Sequence, residues 1–117
     1  MQIEISIGEY LDKISILMIK IKNLDAKDKI SNCRKELNAL KPHMKKEFSP
    51  YLEKLIEING ELYWVLQKQH EMMQSNIIDD VYIPIAKKIY QLNYSRFLVK
   101  KEINEIFESK IIEEKSY

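Results

Sequence analysis

Glycine and proline are scarce in this chain, with 2 and 3 among 117 residues. Turn-rich β structure relies on both at its corners, so their scarcity argues against a sandwich or a barrel. Gly8 and Gly60 are also too few and too far apart to form a glycine-rich loop around a phosphate. Cysteine occurs once, at Cys33, which excludes an internal disulfide and a cysteine metal site and suits a reducing, cytoplasmic setting. His43 and His70 are the only histidines. His70-Glu71 lacks the second histidine that a zinc helix needs four residues on, and no Glu-x-x-His pair exists for a di-iron bundle, so no metal or cofactor is expected.

Charge of one sign is not in excess either. Lys+Arg number 19 against 18 Asp+Glu, a net charge of +1, and no long single-sign block offers itself to a phosphate backbone, so nucleic acid is not an expected partner. Long hydrophobic runs are missing as well: the stretch from Ile14 to Ile21 is broken by Ser15 and Lys20, and the opening residues carry an acid where a secretory signal would be basic. Neither a membrane span nor a targeting segment is expected, which again fits the cytoplasm.

What the chain does have is 45% hydrophobic and 32% charged residues, rich in Ile, Leu, Lys and Glu. That composition favours helices, and the length fits a single helical domain over residues 1–117. Ile3, Ile5 and Ile7 alternate with polar residues as in a short extended N-terminal arm, after which Ser6 or Gly8 can begin a helix. The first helix is predicted from about Glu9 to Asn23, with Tyr10, Ile14, Leu17, Ile21 and Leu24 on its apolar stripe. Glu9, Asp12, Lys13 and Lys20 form a charged flank beside that stripe, within an arc of about 100°. A second helix, capped by Asp28 and ended by Pro42, has Ile30, Cys33, Leu37 and Leu40 on its edge. Ser49-Pro50 signals a third, with serine as cap and proline in the first position, running to about Gln74. Its apolar stripe is Leu52, Leu55, Ile56, Leu62, Tyr63, Leu66 and Met73, interrupted by Asn59 and His70. Pro84 sits early in a fourth helix that ends near Ser109, and a C-terminal tail follows. The expected architecture is all-α: an antiparallel bundle of about four helices, with the extended arm in front and the tail docked behind.

The fourth helix carries the most informative local feature. Ile85, Ile89, Leu92, Ile103 and Phe107 define its apolar face, yet Asn93, Arg96, Lys100 and Asn104 project within about 80° of one another on that face. Buried cations cost several kcal/mol unless paired, so Arg96 and Lys100 call for carboxylates or a bound anion. Glu9 and Asp12 can supply the charge, and so can Glu113 and Glu114 if the tail folds back. In the structural reading, Arg96 and Lys100 lie where the stripe meets solvent, and Asn59, Asn93 and Asn104 fix the helix register. In the functional reading, a polar pocket between helices one, three and four binds an anionic group through Lys13, Lys20, Arg96 and Lys100, while Glu9 or Asp12 handles a proton. Cys33 has no activating neighbour, and Trp64 falls about 120° from the core stripe, exposed at an edge or held in a subunit contact.

Several segments together resemble one family. The first is Gly8-Glu9-Tyr10-Leu11-Asp12-Lys13-Ile14-Ser15-Ile16-Leu17, followed by Ile19-Lys20. Weaker ones are Asn32 through Glu36-Leu37 and Leu40, and Asn59 with Leu62 and an aromatic. Tyr90-x-x-Asn93-x-x-Arg96 with Lys100 and Ile103-Asn104 is another, and the chain closes on Ser109-x-Ile111-x-Glu113-Glu114-Lys115-Ser116-Tyr117. In these segments the chain is similar to short bacterial proteins catalogued as a family of unknown function (DUF6165), and it departs from them at Leu62-Tyr63-Trp64, where Leu-Trp and an acid are usual. The resemblance implies emphasis on the charged flank, the polar ladder and the tail. It implies no reaction.

Two function classes follow. The first is a non-catalytic helical interaction module with an internal polar network, binding a protein partner or a second copy of itself. The second is a protein or enzyme that binds a small anionic ligand. The first is preferred, because a bundle of this size offers little volume for a concave site and no evident nucleophile or base.

Overall fold

The computed structural model describes residues 3–75 and 80–109, and over them the chain is helical with no strand. Four α-helices follow in order: α1 Ile7–Asn23, α2 Lys27–Leu40, α3 Ser49–Gln74 and α4 Tyr82–Ile106. Single 3-10 turns at Lys41–His43 and Lys46–Phe48 carry the chain from α2 to α3. The all-α expectation holds. Ahead of α1, residues 3–5 form no regular structure and leave Ile3 and Ile5 exposed. The tail that was expected to dock lies outside the described residues.

Local chemistry explains where the helices begin. Ser6 is extended, and its hydroxyl accepts the Glu9 N–H at 3.0 Å, the N-cap bond that serine favours. Glu9 in the first turn of α1, with Lys20 and Lys22 in the last, suits the helix dipole. Two expected caps are corrected. α2 starts one residue before Asp28, with Ala26 at the cap and no side-chain cap bond, so Asp28 contributes only its charge to the first turn. At α3, Phe48 occupies the cap position, because the preceding 3-10 turn already holds the backbone in helical geometry; Ser49 and Pro50 are the first two helical residues.

Paired contacts fix the directions. Gly8 meets Asn104 while Asp12 meets Arg96, so α1 and α4 are antiparallel. Tyr10 meets Leu40 while Lys13 meets Glu36, which makes α2 antiparallel to α1. Lys54 pairs with Glu102 and Glu61 with Lys88, so α3 and α4 are antiparallel too. α1 is the hub of this up-down-up-down arrangement. It packs against each of the other three helices, whereas α2 packs chiefly against α1.

The apolar core gathers Tyr10, Leu11, Ile14 and Leu17 of α1 with Leu37, Phe48, Leu55 and Ile103; Leu11, Leu55 and Ile103 are wholly buried. Phe107 closes one end, edge-on to Phe48 at 4.8 Å and to Tyr51 at 5.5 Å. The Tyr10 hydroxyl donates to the Leu40 carbonyl, an acceptor left over at the end of α2, and burial raises the pKa of that hydroxyl above its usual value.

Leu66 and Met73 correct the predicted core of α3, being 42% and 52% exposed. Leu66 is level with Ile19 and Lys20 of α1 and opens onto a cavity between the helices, whereas for Met73 the reason is length. At about 1.5 Å per residue α1 spans ~26 Å and α3 ~39 Å, so the far end of the α3–α4 hairpin extends beyond the helix that would cover it. His70, near the same end of α3, is exposed as well.

Candidate functional site: a charged seam between three helices

Gly8, Asp12, Ser15 and Ile19 recur at spacings of four, three and four, which puts them on one line of α1, and all four are buried. This second line lies beside the apolar one and faces α3 and α4. Asp12, expected on the charged flank and as a source of charge for the inward cations, is 0% exposed: a helix covered by three neighbours has a buried arc wider than one stripe.

The Asp12 carboxylate is met from two helices. Arg96 of α4 grips it with two prongs, Nε to Oδ1 at 2.8 Å and Nη2 to Oδ2 at 2.6 Å. That planar fork-to-fork geometry is the strong form of the pair. Asn59 of α3 donates through Nδ2 to Asp12 Oδ1 at 2.8 Å and to Ser15 Oγ at 2.7 Å. Ser15 Oγ donates in turn to the Asp12 carbonyl at 2.6 Å. One turn along α4, Lys100 Nζ lies 2.7 Å from Glu9 Oε2 and 4.0 Å from Asp12 Oδ2. Two acids of α1 thus face two cations of α4, and the four formal charges balance.

Burial grades along the seam. The Asp12 side chain is 1% exposed, Lys100 7%, Arg96 26% and Glu9 45%. Lys100 therefore does not snorkel to the surface as the structural reading of the sequence had it: its ammonium is inside and its partner Glu9 stands at the mouth. Asn93 joins the network at its rim: it is exposed, and its Oδ1 accepts from Arg96 Nη1 at 3.5 Å, because its position falls at the solvent edge of the α4 face.

At its lower end the seam caps α1. Asn104 Oδ1 accepts the Gly8 N–H at 2.7 Å and Ser109 Oγ accepts the Ile7 N–H at 3.2 Å, so with Ser6 three of the free donors at this helix start are taken. Gly8 is required by the closeness of the helices. A Cβ there would lie 2.7 Å from the Lys100 carbonyl oxygen and 3.1 Å from the Lys100 Cα. Sequence reasoning missed Gly8, Ser15 and Ser109; the spacing of Gly8, Asp12 and Ser15 was the available signal.

The remaining predicted residues are dispersed. Lys13 pairs with Glu36 at 3.0 Å on the surface, with both side chains about half exposed, a contact worth under ~1 kcal/mol. Lys20 is exposed and shares with Arg96 the wall of a half-open cavity of about 160 Å³, otherwise lined by Ile16, Ile19, Asn59, Leu62, Tyr63 and Leu66. The four proposed anion-binding cations therefore do not converge on one point. Glu113 and Glu114 lie outside the described residues. Among the described residues no group of three or more His, Cys, Asp or Glu is placed to hold a metal, and no helix is long and apolar enough to cross a membrane.

Fold and seam together define an all-helical bundle whose central helix is fastened to its neighbours by buried ion pairs. The chain belongs to a family of unknown function (DUF6165), whose profile matches residues 1–117, its whole length. No curated protein matches it, and no solved structure does.

Proposed function

We propose that this chain is a non-catalytic helical interaction module, in which the seam is structural and the outer surface does the binding. The observation that carries this reading is that both inward cations meet carboxylates directly, Arg96 on Asp12 and Lys100 on Glu9. Asp12, buried and already accepting from Arg96 and Asn59, has no approach to a substrate that it could serve as a base. Outside, Trp64 is 60% and Met18 41% exposed, beside an open groove that Ile56 and Gly60 also line. An aromatic flanked by a methionine on an open groove is the kind of surface protein partners use. The module is placed in the cytoplasm on the strength of its single cysteine.

One observation favours a second reading, the binding of a small anion: the cavity of about 160 Å³ with Lys20 and Arg96 in its wall. Native mass spectrometry of the intact protein, with calorimetric titration of phosphate, sulfate and acetate, separates the two. The interaction reading expects no retained small molecule and no affinity tighter than about 1 mM. A retained anion released by Arg96→Met would replace it with the second.

A further inference from the structure

The outer face of α4 has a pattern that its role in the bundle does not require. Ile83, Lys87, Tyr90, Tyr94, Leu98, Lys101 and Glu105 recur at spacings of three and four, so they share an arc of about 80°, and all are exposed. The apolar members are 70% (Ile83), 59% (Tyr90), 42% (Tyr94) and 47% (Leu98) exposed. Scattered surface hydrophobics need no explanation, but four on one line of one helix make a seam.

The charges on this line say what it fits. In an antiparallel pairing of α4 with a second α4, the register that sets Tyr94 against Leu98 also sets Lys87 against Glu105, and by the two-fold axis it does so twice. A parallel pairing would set Lys87 against Lys87 and Glu105 against Glu105. Neither Lys87 nor Glu105 has an ion-pair partner among the described residues.

We infer that the partner of this face is a second copy of the chain, docked α4 on α4 about a two-fold axis at the level of residue 96. The inference rests on the interaction-module reading and commits it to one surface. The pairing is a modest one: from Lys87 to Glu105 the helix measures ~27 Å and is about 10 Å wide, a footprint well below the roughly 800 Å² per partner of a standard stable interface. A weak, concentration-dependent association is expected, with a monomer at about 10 µM and a dimer approaching 1 mM.

Sedimentation equilibrium across that range tests it, using surface variants that leave the bundle intact. Lys87→Glu alone and Glu105→Lys alone are each expected to be at least tenfold weaker in self-association, since each sets like charges together at both ends. The two single variants mixed are expected to form a heterodimer, and Lys87→Glu/Glu105→Lys in one chain to recover the wild-type affinity. A wild type that remains monomeric near 1 mM overturns the inference, as does a dimer indifferent to these charges. Either result would leave the interaction-module reading to its own test, the small-anion titration, which does not depend on self-association.

Discussion

Replacing Arg96 by methionine keeps most of the stem and removes the charge, so it asks what the seam is worth. Asp12 would be left wholly buried, with the Asn59 amide at 2.8 Å and the Lys100 ammonium at 4.0 Å as its remaining support. Removing one partner of a buried pair costs about 3–5 kcal/mol, because the survivor keeps its desolvation penalty. Arg96 is itself 26% exposed and Lys100 can swing part of the way from Glu9, so the lower end, about 3 kcal/mol, applies. Over 117 residues at about 2.1 cal/mol/K each, the unfolding entropy is ~0.25 kcal/mol/K, and the loss becomes a fall in Tm of about 12 °C. Far-UV circular dichroism during thermal and urea unfolding measures it; Trp64 fluorescence is a poor probe, since that ring is already 60% exposed when folded. The decisive comparison is a cycle. Asp12→Asn alone leaves an arginine that can turn to water and should cost less than Arg96→Met, and in the Arg96→Met background it should restore stability by removing the stranded charge. An unchanged Tm for Arg96→Met, or no recovery in the double variant, would refute the reasoning.

The two glycines give opposite expectations. Gly8→Ala forces α1 from the Lys100 backbone and should lose about 2 kcal/mol despite the ~1 kcal/mol helix preference of alanine, whereas Gly60→Ala meets nothing within 4 Å and should gain up to about 1 kcal/mol; urea midpoints compare them. Tyr10 makes stability fall in alkali. Its folded pKa is raised by burial, so the unfolded chain releases the proton first; stability is intact below about pH 10 and is lost as the pH rises through the folded value. Tyr10→Phe should lose about 1 kcal/mol at neutral pH with the bond to Leu40, yet show a flatter decline between pH 9 and 11 when Tm is followed against pH.

The helices were legible because their signals are local. Ser6 as a cap, Pro42 and Pro84 as punctuation, and period-3.6 stripes placed all four helix bodies to within a few residues of their ends. Met73 was misplaced because a stripe gives the direction of burial along one helix without saying where the covering helix stops, and Leu66 because a stripe does not report the cavity left between two helices. In the seam, the inward cations of α4 were visible as polar residues on an apolar face. Asp12 was legible as a source of charge for them but its depth was not, since that depends on α1 having three neighbours, and nothing in α1 alone reports how many helices surround it. Gly8 and Asn104 depend on the same fact: their bond joins residues 96 apart.

That dependence explains what the seam adds to a core already held by Leu11, Leu55 and Ile103. Apolar stripes tolerate a slide of one helical turn, because leucine against isoleucine packs nearly as well four residues on. The seam does not. Moving α1 by one turn along α4 would bring Asp12 opposite Lys100 and leave the two-pronged Arg96 without its carboxylate. The Gly8 N–H would lose the Asn104 oxygen, and a residue with a Cβ would press on the Lys100 backbone. Each of these costs is of order 1–3 kcal/mol, and they fall together, so the charged seam selects one register where hydrophobic packing alone would admit several. On the proposed interaction role that selection matters, because sliding α1 by one turn would re-space Met18 against Ile56, Gly60 and Trp64 of α3 and remake the groove they line.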